Sequence, residues 1–234
     1  MAVRAMSAAV VVGASGGIGG ALVEALGDEG TFDTIHALSR RGTDPIDIED
    51  EASVAAAAAR IAAGPAPSLV IVASGLLHDE AHGPEKAYRE LDPAWLARTL
   101  AVNAIGPALV AKHLLPLMPR QGRTLFAILS ARVGSISDNR LGGWYGYRMA
   151  KAAANQLVRT LAIEEKRRND RSIVVGLHPG TVDTALSKPF QANVRPGTLF
   201  TPARAASQLL DVIDGLKAPD SGKLFDFEGK EITP

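Results

Sequence analysis

Two side chains in this 234-residue chain are spaced to move a proton together: Tyr147-Arg148-Met149-Ala150-Lys151 sets a phenol and an ammonium four residues apart, on one face of a helical pattern. A free tyrosine titrates near ~10 and is a poor acid or base at neutral pH, whereas an adjacent cation stabilises phenolate and lowers that value. A phenol so tuned can give a proton to a carbonyl oxygen as hydride adds, or take one from an alcohol in reverse. Tyr145 is six residues from Lys151 and faces elsewhere. Alone, the pair is also what chance places on many helices.

The second feature is a glycine-rich turn, Gly13-Ala14-Ser15-Gly16-Gly17-Ile18-Gly19, between a strand pattern and a helix pattern. Glycine permits a tight turn and lets phosphate oxygens approach the backbone, and the free N–H groups of a helix start favour an anion. The spacing Gly-x-x-x-Gly-x-Gly departs from Gly-x-Gly-x-x-Gly, so a tight strand-to-helix connection and an adenosyl-binding methyltransferase turn both stay open. The end of the second strand narrows the choice. An acid there would hold ribose hydroxyls, but the residues are Ser39-Arg40-Arg41, and a guanidinium grips a 2′-phosphate bidentately. NADP(H) is therefore favoured over NAD(H) and over adenosyl-methionine, with solvated loop arginines as the plainer alternative.

These groups need a frame, and hydrophobic patterning supplies one. Ala8–Val12, Thr34–Leu38, Ser68–Ala73, Thr124–Leu129 and Ser172–Leu177 are short runs rich in Val, Ile and Leu, as strands buried on both faces should be. Helix patterns lie between and after them at Gly17–Glu29, Glu51–Ala63, Pro93–Leu117, Trp144–Arg168 and Pro202–Leu216. The alternation predicts an α/β fold, a doubly wound parallel sheet with helices on both faces. Asp92 before Pro93 and Thr201 before Pro202 suit helix caps, and Glu49, Asp50 and Glu51 suit the start of the Ala-rich helix. The long irregular stretch at 187–197 reads as a functional loop.

Composition removes whole classes of function. With 25 Lys+Arg against 25 Asp+Glu there is no basic excess for nucleic acid and no pull toward anionic membranes. Zero cysteine excludes disulfides, thiolate zinc sites and a cysteine nucleophile, and suits the cytoplasm. No apolar run approaches the ~20 residues of a membrane span, and no cleavable leader is visible. His36, His78, His82, His113 and His178 show no metal-ligand spacing, so no metal is expected, and His178 before Pro179 reads as structural.

The ordered set of Gly13/Gly17/Gly19, Asp47-Ile48, Ala73-Ser74-Gly75, Asn103, Tyr147 with Lys151, and Pro179-Gly180-Thr181-Val182-Asp183-Thr184 resembles the short-chain dehydrogenase/reductase family over nearly the whole chain. Ser130–Asn139 followed by Gly142–Lys151 looks like its C-factor-like branch, which holds signalling proteins as well as reductases. The resemblance implies a single Rossmann-type domain over residues 1–234. Tyr147 would be the acid/base, Lys151 would hold the nicotinamide ribose, and Asn103 would support a water-linked relay to Lys151. Gly13, Ser15, Gly16, Gly17, Ile18 and Gly19 would cradle phosphate, with Ser39 and Arg40 at the 2′-phosphate. Asp47 and Ile48 would flank adenine, Ala73, Ser74 and Gly75 the adenosine side, and Pro179, Gly180, Val182 and Thr184 the carboxamide and phosphates.

Two departures stand out. The usual Asn-Asn-Ala-Gly is Val72-Ala73-Ser74-Gly75, so a bracing amide is missing. Ala131 stands where the carbonyl-polarising serine belongs; Ser135, twelve residues before Tyr147, is narrowly favoured for that role, with Ser130 as its rival. The expected activity is an NADPH-dependent carbonyl reductase, reversible as an alcohol dehydrogenase, acting on a small or medium hydrophobic aldehyde or ketone. The substrate would lie under residues 185–200, with Phe190, Leu199 and Phe200 as apolar contacts. A nucleotide-binding signalling protein with weak chemistry is the alternative, and an epimerase or dehydratase a more distant one. The family expectation for assembly is a homodimer or homotetramer through the two long helices.

Overall fold

Alternation within the first strand already dictates the layering. Val10 and Val12 of β1 (Ala8–Val12) face one hydrophobic cluster, while Ala9 and Val11 face another. A strand buried on both sides in this way needs helices on both sides. The computed structural model describes residues 6–195 and 197–234. Residues 1–5 of the expected domain, and Pro196 of the expected substrate segment, lie outside the described residues.

The main sheet also contains β2 (Thr34–Ser39), β3 (Asp44–Pro45), β4 (Pro67–Val72), β5 (Thr124–Leu129), β6 (Ser172–His178) and β9 (Leu224–Asp226). Its order is β3-β2-β1-β4-β5-β6-β9, every pairing parallel. β7 (Thr181–Val182) and β8 (Leu199–Phe200) form a separate two-stranded ribbon that brackets the loop between them. This is the doubly wound Rossmann-type arrangement, whose ligand crevice opens where the strand order reverses, between β1 and β4.

One face is covered by α1 (Gly17–Glu29) and α6 (Pro202–Gly215), through Leu22, Leu26, Leu209 and Ile213. The other is covered by α2 (Glu51–Ala62), α4 (Gly106–Leu114) and α5 (Tyr145–Arg168), through Val54, Ile61, Val110, Leu114 and Val158. The expected caps form: Asp50 accepts from the Ala52 N–H at 3.0 Å, Asp92 from the Trp95 N–H at 2.7 Å, and Thr201 from the Arg204 N–H at 3.2 Å.

The expected helix over Pro93–Leu117 is α3 (Pro93–Leu100), a π-helical turn at Ala101–Ile105, α4, and a final tight turn at Leu115–Leu117. The cause of the π turn is Pro107. Proline brings no N–H to the carbonyl four residues back, which is that of Asn103, and its ring crowds that carbonyl. Taken whole, the segment is long and apolar enough to cross a bilayer, which corrects the expectation that no stretch approaches that length. Its Val110, Ala111 and Leu114 are buried against the sheet.

At the centre of the sheet Phe126 is fully buried between the β4 and β6 pairings. Phe126→Ala should cost about 3–5 kcal/mol of stability, since the cavity cannot collapse between two paired strands. Urea unfolding of the two forms checks this; a loss under about 1 kcal/mol would show a core that relaxes freely.

Candidate active site

The carboxyl ends of β1, β2, β4, β5 and β6 enclose a cavity of about 450 Å³. Its outer part is the glycine-rich turn. Gly20 is the first residue of α1 to reach a carbonyl four back, that of Gly16, at 2.8 Å, so the N–H groups of Gly17, Ile18 and Gly19 lie ahead of the helical ladder. No acidic side chain occupies the first turn. Two of the glycines are demanded by close approach. A Cβ on Gly19 would fall 2.2 Å from the Gly13 carbonyl oxygen, and one on Gly17 would fall 2.7 Å from Thr184 Cγ2. The turn is thus closed from beneath by its own backbone and from the side by the loop after β7.

Gly13, Ser15, Gly16, Gly17, Ile18, Gly19, Ser39, Arg40, Asp47, Ile48, Ala73, Ser74, Gly75, Pro179 and Thr184 all line this cavity, together with Tyr147, Lys151 and Ser130. Arg40 is exposed at its rim, whereas Ser39 beside it is buried. The Ser74 hydroxyl is buried and has no hydrogen-bond partner, a polar atom facing a polar ligand's place. Sequence reading missed Glu49, Leu76, His78, Arg98 and Val102 as lining residues, whereas Ala185 and Leu186 fall in the expected substrate segment. None of the missed residues belongs to a motif, and only the path of the chain brings them there.

At the inner end Lys151 is 3% exposed and donates from Nζ to the Leu129 carbonyl at 2.8 Å. Its Nζ lies 5.5 Å from the centre of the Tyr147 ring, within cation–π range. Burial lowers the Lys151 pKa to about 8. Burial also pushes the Tyr147 phenol above its ordinary value, which corrects the expectation that the lysine lowers it. The reason is desolvation: with the ring 9% exposed, the penalty on phenolate outweighs a cation set beside the ring face.

Several expected roles change with the geometry. The Asn103 amide accepts from the Leu76 N–H at 3.1 Å and donates to the Leu76 and Thr99 carbonyls at 2.8 and 2.9 Å. It braces the loop after β4, the task of the missing family amide, and does not line the cavity. Gly180 and Val182 also stand outside the cavity lining. Gly180 has φ +76°, with the Phe200 ring 2.8 Å from where a Cβ would be, and the Val182 carbonyl accepts from the Ser187 hydroxyl.

Neither serine is free to polarise a carbonyl. Ser135 is 2% exposed and off the cavity wall, accepting from the Asp138 N–H at 3.1 Å to close a turn. This corrects the preference for Ser135. Ser130 is on the wall, but its hydroxyl lies 2.6 Å from the Asn155 amide on α5. Strand alternation sends its side chain to the α5 side of the sheet. His178, at the end of β6, is pushed down to about 4 by burial and by Arg132, so it stays neutral near pH 7.

Helix α5 begins one residue later than expected, because Trp144 has φ +53°, the only described non-glycine residue with positive φ. Left-handed backbone costs a bulky residue about 1–2 kcal/mol.

A family model described as enoyl-(acyl carrier protein) reductase matches residues 13–195. The 1-hydroxy-2-glutathionyl-2-methyl-3-butene dehydrogenase of Rhodococcus sp. (strain AD45) is 32% identical over 237 aligned positions, covering 96% of this chain and 98% of that protein. The chain belongs to the short-chain dehydrogenase/reductase family. The C-signal protein of Myxococcus xanthus is 37% identical over 146 residues, 62% of this chain and 82% of that protein, in keeping with the C-factor-like pattern. An NADPH-bound carbonyl reductase from chicken fatty liver shares the fold, with a TM-score of 0.84 at 23% identity over 99% of this chain and 95% of that one. As a member of this family the protein is an oxidoreductase.

Lys151 carries a stability cost whose sign follows from its pKa. The folded value, about 8, lies below the ordinary 10.5, so burial of the ammonium penalises the folded state below pH 8. That penalty fades as pH rises to 10.5. Lys151→Met should therefore stabilise the ligand-free protein at pH 7 by up to about 3 kcal/mol, less the lost bond to Leu129. Denaturant unfolding at pH 7 and pH 10 reads both halves; a variant less stable than the native protein at pH 7 would refute the assignment.

Proposed function

We propose that the protein is an NADPH-dependent carbonyl reductase acting on small to medium hydrophobic aldehydes or ketones, and reversible as an alcohol dehydrogenase. The observation that carries this reading is the placement of a protonated phenol and a buried ammonium at the inner end of one cavity, with a phosphate-binding turn and Arg40 at its outer end. The residues fit the dinucleotide. The orphaned Ser74 hydroxyl offers a hydrogen bond, the first N–H groups of α1 suit a pyrophosphate, and no side chain protrudes from Gly17 or Gly19 to block one. Arg40 suits a 2′-phosphate, and the end of β2 presents no acid to repel it. The neighbour from chicken fatty liver binds NADPH, which supports the same choice.

When bound, NADPH supplies a hydride to the carbonyl carbon. Tyr147 holds the proton that the carbonyl oxygen takes as that hydride arrives. Its raised pKa keeps it protonated across the neutral range, which suits reduction more than oxidation. Lys151, fixed through one proton to Leu129, has two others for ribose hydroxyls and places positive charge beside the phenolate left behind. From the loop after β7, Ala185 and Leu186 add apolar surface to the cavity wall.

A second reading rests on the serine geometry and on the likeness to C-signal: a nucleotide-binding signalling protein with slow chemistry. NADPH consumption with a panel of aldehydes separates the two. Turnover that falls about 10²–10⁴-fold in Tyr147→Phe, with NADPH binding intact, supports the reductase. NADPH fluorescence changing in both forms without consumption supports the other. Arg40→Ala should weaken NADPH binding about tenfold or more and leave NADH affinity unchanged. Equal affinity of the native protein for the two nucleotides would overturn the cofactor assignment.

A further inference from the structure

The strained residue Trp144 is held from both sides, and its ring packs against Tyr147, which lines the cavity. Gly142 and Gly143 before it both have φ +63°, so three consecutive residues run left-handed into α5. Glu85, 3% exposed, grips this turn twice: its main-chain carbonyl accepts from the Trp144 N–H, and its carboxylate accepts from the Gly146 N–H at 3.0 Å. From the other side Arg148 donates to the carbonyls of Gly143, Gly142 and Val133 at 2.9, 3.3 and 3.2 Å. Trp144 itself offers α5 no side-chain cap, and the Glu85 carboxylate takes that place at Gly146. A bulky residue kept left-handed by two charged side chains is strain maintained by its surroundings, and such strain concentrates at ligand sites.

The indole lies edge-on to Tyr147, with ring centres 6.3 Å apart. Against its other contact is Phe190, from the short helical turn Lys188–Asn193 in the loop after β7, at 5.3 Å. Phe190 in turn meets His78 edge-on at 5.6 Å, and His78 lines the cavity. One phenyl ring thus sits between an imidazole and the indole that itself meets the Tyr147 ring. The two sides differ: Trp144 is pinned by Glu85 and Arg148, whereas Phe190 is carried on a loop.

Resting on the carbonyl-reductase reading above, we infer that Trp144 is a specificity-determining residue which selects aldehydes and ketones carrying a flat aryl group beside the carbonyl. Phe190 occupies the place of that aryl group until the substrate displaces it. The complementarity is visible in the ring already there, since aromatic faces and edges reward another flat ring beyond the area it buries. Hydride and proton transfer remain as described, with Trp144 touching the substrate's ring and not its carbonyl.

The test compares benzaldehyde with cyclohexanecarbaldehyde, which has the same carbon skeleton without the flat ring, using purified full-length protein and NADPH. The native protein should show a kcat/KM for benzaldehyde about tenfold higher. Trp144→Gly suits the left-handed backbone and should keep the thermal midpoint, while raising KM for benzaldehyde about tenfold with kcat unchanged. The saturated aldehyde should stay within about twofold. Phe190→Ala should move the benzaldehyde KM the opposite way, downward, because the competing ring is gone. No preference in the native protein, or equal effects of Trp144→Gly on both aldehydes, overturns the inference while leaving the reductase reading intact. Should Trp144→Gly fail to fold, an unchanged or raised benzaldehyde KM in Phe190→Ala overturns it alone. Absence of turnover of both aldehydes with NADPH bound would overturn the reductase reading and this inference with it.

Discussion

The bond from the buried Lys151 ammonium to the Leu129 carbonyl is the contact on which the site's geometry depends. It ties the first turns of α5 to the carboxyl end of β5, so the helix cannot shift without exposing a desolvated charge. Its neighbours are arranged to let the helix come close. A Cβ on Gly134 would fall 2.8 Å from Lys151 Cβ and 2.9 Å from the Asn155 amide, so only glycine permits this approach. Ser130, one residue beyond Leu129, adds a second tie to the same helix through Asn155. Two hydrogen bonds and one missing side chain thereby fix Tyr147 relative to the sheet.

The same economy of backbone governs the outer half of the cavity. Gly13 leaves room for the Ser74 N–H, 2.8 Å from where its Cβ would be, and Gly17 leaves room for Thr184. The turn after β1, the loop after β4 and the loop after β7 therefore meet at one point, at the reversal of strand order. Asn103 reaches across from its π-helical turn to hold the middle loop by both its N–H and its carbonyl. Pro107, which brings no N–H to the helical ladder, follows that irregular turn directly.

Much of this was legible in the residues because it follows from local rules. Strands such as Thr124–Leu129 and helices such as Gly17–Glu29 announce themselves by period and punctuation. The cavity lining was legible where it coincides with motifs, in Gly13 to Gly19 and in Tyr147 with Lys151. What escaped depends on packing. β9 is only Leu224–Asp226, too short for a pattern, and is defined by its pairing with Gly176 to His178. The left-handed turn at Trp144 contradicts local preference and exists because Glu85, 59 positions earlier in the chain, holds it. The role of Asn103 depended on which loop stood opposite, and the direction of the Tyr147 pKa on how much water the fold excludes.

The serines show how a single substitution redistributes a task. With alanine at 131 there is no hydroxyl where the family serine would stand, and the Ser130 hydroxyl donates its proton to the Asn155 amide oxygen on the α5 side of the sheet. Losing an oxyanion donor typically costs ~10² to 10³ in rate, so a reductase built this way must recover part of that elsewhere. The same burial that raises the Tyr147 pKa offers a route. A phenol kept protonated in a low-dielectric pocket makes a stronger hydrogen bond than one in water, and no described side chain competes for its hydroxyl. Desolvation thus works against phenolate and for the donor, and it places the demand on the nearby Lys151 charge once the proton has gone. That division explains why the ammonium is held at a fixed point against Leu129 even though its burial costs the fold stability.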